Sequence, residues 1–261
     1  MCFPPGARPP EIPSDLRSIS GGAGGQDVVL TSTDGATFRA FLAAGDGDAG
    51  VVIAPDVRGL VRFYEELAER FASAGVHAIA FDYFGRTAGT SRRPDDFAFQ
   101  EHVAAARARP DLIQGDIAAS VAELTARTGA SRIFVLGFCM GGRVAFNASA
   151  EQSGLTGVVG FYGLPRKRDD TDADAPMEKL DRMRAPILGL FGGADPGIPA
   201  DAIAAFDQAL DRKGLAHHLV TYPSAPHSFF DRGFAEWKDA CSDAWRRVLG
   251  FIATADPKAL K

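Results

Sequence analysis

Three short stretches of this chain hold residue types that together can cleave an acyl bond. The first is Gly137-Phe138-Cys139-Met140-Gly141-Gly142, which follows the apolar run Ile133-Phe134-Val135-Leu136. A strand that turns through G-x-C-x-G-G into a helix is the setting of a nucleophile elbow, with a thiol where serine usually stands. Positions 137 and 141 must lack a Cβ if strand and helix are to approach each other around a strained turn. The thiol then stands at a helix N-terminus, where partial positive charge favours the thiolate. The Met140 N–H can donate to an oxyanion there. A cysteine simply buried in a glycine-lined turn would read the same way, since unpaired cysteines are commonly core residues.

The second stretch is Gly192-Gly193-Ala194-Asp195-Pro196, and the third is Tyr222-Pro223-Ser224-Ala225-Pro226-His227-Ser228-Phe229. Taken alone, Asp195 is a turn residue bonded to its own backbone, and His227 is a loop histidine with no partner. Taken together, the order thiol, carboxyl, imidazole at 139, 195 and 227 is the chain order of hydrolases built on open α/β sheets. Each member lies just past the C-terminal end of a predicted strand, the edge where such sheets build their sites.

Other candidates carry less. His77 falls inside a predicted buried strand and reads as a satisfied core histidine. His217 and His218 open a strand, so only one of them faces inward. His102 sits in an insertion and is a candidate for a cleft wall. Cys2 and Cys241 have no motif, and three distant cysteines make neither a disulfide framework nor a zinc pattern. Asp46-Gly47-Asp48 lacks the glutamate of a calcium loop and reads as a turn. The glycines of Gly21–Gly25 have no strand before them and no Lys-Ser/Thr after them, so they do not form a phosphate loop.

Positioning these residues requires a particular scaffold. The segment VVLTSTDGATFRAFLA, centred on Asp34-Gly35, predicts a β-hairpin. Strands are expected at Val51–Ala54, Val76–Phe81, Arg132–Leu136, Val158–Tyr162, Ile187–Phe191 and His218–Tyr222. Helices are expected over 62–74, where Phe63, Leu67 and Phe71 share a face ahead of Gly75, and over 111–128, from about Gly141, and over Asp201–Leu210 and Phe234–Ile252. Strands alternating with helices predict an α/β fold with a mostly parallel central sheet and helices on both faces. Residues 1–25, rich in Pro and Gly, read as an irregular N-terminal arm, and 26–261 as a single domain. Two polar insertions, 87–110 and 165–181, interrupt the alternation and are candidates either for cleft walls or for solvated loops.

Composition sets the outer limits. The 261 residues are 46% hydrophobic and 23% charged, with a net charge of −5, which is the profile of a soluble globular protein. No run approaches the roughly 20 apolar residues of a membrane span. An acidic chain with no basic stripe is a poor binder of nucleic acid. The first residues lack the order of a signal peptide, so a cytoplasmic location is expected. The sequence leaves oligomeric state open, a homodimer included.

With these residues in view, the chain resembles the dienelactone hydrolases (carboxymethylenebutenolidases) of the α/β-hydrolase superfamily. The likeness rests on GFCMGG, GGADPGIP and the AP-HSFF segment, and it covers roughly residues 27–252. It implies hydrolysis of an enol-lactone or related activated ester, a small-molecule substrate, without metal or organic cofactor. In that reading Cys139, Asp195 and His227 form the triad, and the N–H groups of Met140 and Val57 form the oxyanion hole. Asp56, in Ala54-Pro55-Asp56-Val57-Arg58-Gly59, corresponds to the family's thiol-touching glutamate but is one methylene, or about 1.5 Å, shorter. Arg86 matches the family arginine that takes a substrate carboxylate, a role that suits the guanidinium fork. The family's second arginine falls on Asp231 here, with Arg232 next to it. A general carboxylesterase or thioesterase acting on neutral acyl groups is the alternative, followed by a non-catalytic binder on the same scaffold.

Overall fold

The computed structural model describes residues 6–17, 24–170, 172, 174–230 and 235–261. Among these, strands β1 (Gln26–Thr31), β2 (Thr37–Ala43), β3 (Ala49–Ala54), β4 (His77–Phe81), β5 (Arg132–Phe138), β6 (Gly157–Phe161), β7 (Ile187–Gly192) and β8 (His217–Tyr222) form one eight-stranded sheet in the order β1-β2-β4-β3-β5-β6-β7-β8. The expected hairpin is β1–β2, with register pairs Thr31↔Thr37 and Gln26↔Leu42, and β2 also lies antiparallel to β4. Every pairing from β4 through β3 to β8 is parallel. Strands β3, β4, β6 and β7 are buried along their whole length, as parallel strands covered on both faces must be.

The helices are α1 (Arg62–Ser73), α2 (Gly85–Ala88), α3 (Gln100–Ala108), α4 (Pro110–Thr128), α5 (Met140–Glu151), α6 (Ala200–Lys213) and α7 (Lys238–Thr254). The stripe Phe63, Leu67, Phe71 of α1 is fully buried, and the chain turns out of that helix through Gly75 at φ 84. Helix α4 opens with Pro110 at its first turn, where the missing N–H costs nothing, and ends at Gly129 in the left-handed region. Phe234, the expected start of the last helix, lies outside the described residues.

Three expectations are refined. The insertion 87–110 contains helix α3 and is tied to the core: the Arg93 Nε–H donates to the buried Asp82 at 2.8 Å, and Nη1 to the Ala88 carbonyl at 2.9 Å. Burial raises the Asp82 pKa against the pull of Arg93. Within 165–181 the chain ends in a 3-10 turn, Pro176–Arg182. In the arm, residues 6–17 are docked, with Ala7, Ile12 and Leu16 buried and the Trp245 Nε1–H bonded to the Pro10 carbonyl at 3.2 Å. No described helix is long and apolar enough to cross a membrane.

Candidate active site

The elbow forms because three backbones crowd one point. Cys139 has φ 55 and ψ −110, a conformation that non-glycine residues adopt at a cost of about 1–3 kcal/mol. Its N–H donates to the Phe161 carbonyl of β6 at 3.0 Å, and its carbonyl accepts from Arg143 N–H at 3.2 Å, which closes the first turn of α5. A Cβ on Gly137 would lie 1.9 Å from the Gly141 carbonyl oxygen, and one on Gly141 would lie 2.1 Å from the Ala54 oxygen. The glycines thus bring the N-terminus of α5 against the end of β3. Met140 and Val57 are both buried at that rim. Met140 opens α5, so its N–H belongs to the first helical turn, which has no intrahelical acceptor. Cys139 itself is half-buried.

Asp195 and His227 meet through two loops. The loop after β7 lies against the loop after β8: Gly193 N–H donates to the Tyr222 carbonyl at 2.8 Å and Ala194 N–H to the Ala225 carbonyl at 3.0 Å. A Cβ on Gly192 would meet the Ala225 oxygen at 2.4 Å. Asp195 Oδ1 accepts the Gly197 N–H at 2.8 Å, which leaves Oδ2 on His227 Nδ1 at 2.5 Å. A carboxylate acceptor at Nδ1 places the ring hydrogen there and leaves the Nε2 lone pair unprotonated in the neutral ring. The His227 loop is pinned by the fully buried Phe229 and Phe230, and Ser228 takes φ 61 to make the turn. Buried Cys241, the cysteine with no motif, donates its S–H to the Phe229 carbonyl at 3.3 Å.

Tyr162 is a contributor the sequence did not single out. It follows β6 at φ 40, and its ring centroid lies 5.0 Å from that of His227. Burial holds the Tyr162 and Tyr83 phenols well above their ordinary pKa, with Cys241 adding next to the effect on Tyr162 and Asp56 to that on Tyr83. Both phenols therefore stay neutral beside the thiol. The Tyr83 hydroxyl donates to the Pro55 carbonyl at 2.6 Å. A positive φ at the end of a strand has no signature in residue type, so Tyr162 was not legible beforehand.

Asp56 is completely buried, and Arg58 engages it: Nε donates to Oδ1 at 3.1 Å and to Oδ2 at 3.0 Å, and the Arg58 N–H adds a bond to Oδ1 at 2.9 Å. The Asp56 N–H in turn donates to the Tyr64 hydroxyl at 2.8 Å. Burial pulls the Arg58 pKa down, but the charge of Asp56, the Tyr64 phenol and the hydrogen bonds to both together raise it. The D-x-R spacing was visible in the sequence, yet only the fold makes it a buried pair.

The arginine expectations fare differently. Arg86, read as the receiver of a substrate carboxylate, instead holds two of the chain's own. Its Nε and Nη2 donate to Asp34 at 2.9 Å each, and its Nη1 and Nη2 to Asp116 at 2.8 Å each. The physical reason is proximity: the hairpin turn and α4 bring both acids to the fork, and Asp116 is fully buried, so it requires a cation. Arg232 lies outside the described residues. His77 is satisfied as expected, bonded to Gly45 N–H at 3.0 Å and the Gly47 carbonyl at 2.9 Å. His102 stacks on Phe97 at 5.2 Å.

The model of the dienelactone hydrolase family matches residues 38–255. The chain belongs to the dienelactone hydrolase family. It is accordingly a hydrolase of the ester and lactone class. The Saccharolobus solfataricus protein named "Putative carboxymethylenebutenolidase" is 29% identical over 86% of this chain and 96% of its own length. A Klebsiella pneumoniae structure titled "Putative Dienelactone Hydrolase" superposes with a TM-score of 0.72 at 25% identity, covering 88% of this chain and 99% of that one. A Mycobacterium tuberculosis puromycin-hydrolyzing peptidase shares the fold at a TM-score of 0.74 and 17% identity, over 92% of this chain and 41% of its own.

Proposed function

We propose that this dienelactone hydrolase family member is a cysteine-dependent hydrolase that cleaves an activated ester or enol-lactone through an acyl-enzyme. The observation that carries the reading is the 2.5 Å Asp195–His227 bond, at the same sheet edge as the Cys139 elbow. His227 Nε2 takes the thiol proton, and the sulfur attacks the carbonyl carbon. The carbonyl π electrons move onto oxygen, which the N–H groups of Met140 and Val57 receive. As the tetrahedral species collapses, the C–O bond to the leaving group breaks and His227 returns its proton to that oxygen. Water, deprotonated by His227, attacks the thioester and restores the thiol and a carboxylic acid. Asp195 keeps the imidazole in the working tautomer and supports its cation. An enol leaves readily because its oxyanion is delocalised, which suits a thiolate nucleophile.

The test is turnover of p-nitrophenyl acetate by Cys139→Ala. Activity is expected to vanish; a rate near that of the parent would overturn the proposal. A second preference, for neutral over anionic acyl groups, is favoured by the Arg86 geometry. Paired esters that differ by one free carboxylate should then give the higher kcat/KM for the neutral member.

A further inference from the structure

Strand β8 runs between two histidines of different use. His227 follows its end at the active-site edge, whereas His217 opens it at the opposite edge of the sheet. His217 Nδ1 donates to the Leu215 carbonyl at 2.7 Å, so the neutral ring presents the Nε2 lone pair to whatever lies on its other side. There it meets Asp207 Oδ1 at 3.1 Å and Asp211 Oδ1 at 3.8 Å, with the imidazole only 9% exposed. Asp207 and Asp211 stand one turn apart on α6, and the three ligand atoms lie within 4.8 Å of one another.

Three acceptors converging on one point need either a proton on Nε2 or a metal cation between them. Among the described residues, His217 is the only basic side chain within 4.0 Å of either carboxylate.

We propose that Asp207, Asp211 and His217 bind a divalent cation of the zinc class, with water completing the coordination. Ion–ligand distances of about 2.0–2.1 Å in a tetrahedron put neighbouring ligand atoms about 3.3 Å apart; the two His–Asp pairs, at 3.1 and 3.8 Å, bracket that value, and the Asp–Asp pair lies within 4.8 Å. An imidazole among the ligands favours zinc, cobalt or nickel over magnesium and calcium. The Leu215 carbonyl is the outer partner that orients a ligating histidine. A groove of about 590 Å³ borders the three residues and gives the remaining position room for water. Bound there, the ion ties α6 to the edge strand β8, at the edge of the sheet away from the hydrolytic chemistry.

The test uses the full chain carrying Cys139→Ala, so that the active-site thiol takes no metal, stripped with a chelator and titrated with Zn2+ by calorimetry. One saturable site is expected, with a rise in Tm on loading. Asp211→Asn, at a side chain 73% exposed in a position that tolerates change, should keep the metal-free Tm and weaken Zn2+ binding by at least about tenfold. Loading with Co2+ should give a visible d–d band without a thiolate charge-transfer band. In the thiol-containing chain Asp211→Asn should leave ester turnover unchanged. Absence of saturable binding, or equal affinity in Asp211→Asn, would overturn the proposal and reduce the cluster to a protonated His217 paired with Asp207.

Discussion

The carboxylate of Asp195 reaches the imidazole of His227 across 32 residues of chain, at 2.5 Å. The other Asp195 oxygen is held by the Gly197 N–H at 2.8 Å, so the carboxylate is fixed before the histidine is counted. Asp195→Asn keeps the size of the side chain but offers the ring a donor, which favours the wrong tautomer. A fall in kcat of about 10⁴ with KM little changed is expected, measured by steady-state ester hydrolysis. A loss below tenfold would remove Asp195 from the mechanism.

Gly141 tests the elbow without touching a reacting group. A Cβ there would lie 2.1 Å from the Ala54 oxygen and 2.3 Å from the Pro55 oxygen, both backbone atoms with no rotamer to yield. Gly141→Ala should cost about 3 kcal/mol or more and abolish turnover, because α5 must retreat from β3 and carry the Met140 N–H with it. Urea denaturation beside the activity assay checks both effects.

Arg86 separates a structural role from a substrate-binding one. Removing it strips the buried Asp116 of its cation, so Arg86→Ala should destabilise the protein by about 3 kcal/mol. The ratio of kcat/KM for anionic and neutral esters should stay within about threefold of the parent value, set by the same clasp. A selective loss on the anionic ester would instead restore the substrate role.

The same clasp sets an acid limit. The Arg86 fork holds the Asp34 carboxyl down to about 2 from its ordinary 3.8. A carboxylate with a depressed folded-state pKa stabilises the fold above its unfolded value and loses that contribution as pH falls through the folded one. The Tm difference between the parent and Asp34→Asn should therefore be constant above about pH 4 and close toward pH 2. A difference that grows on acidification would contradict the assignment.

The period of the apolar residues was enough to read the strands and the main covering helices, though not α2 or α3, because strands buried on both faces must be continuously apolar and covering helices must carry a stripe. The Phe63, Leu67, Phe71 stripe and the Asp34-Gly35 turn are examples of local chemistry with one structural outcome. The candidate nucleophile, acid and base were legible for the same reason: each follows a strand and carries its own glycine or proline punctuation.

What remained for the tertiary structure was the choice of partner for each charge. A guanidinium in sequence has no preferred carboxylate; Arg86 met Asp34 and Asp116, and Arg58 met Asp56, because separate elements delivered them to the same place. The left-handed turn at Tyr162 and the meeting of Asp207 and Asp211 with His217 belong to the same class. Sequence alone determined which faces had to be buried and where the chain had to turn, since those are local requirements of backbone and solvent. Electrostatic pairing acts over a few ångströms in space and is indifferent to separation along the chain, so only the folded molecule decided it.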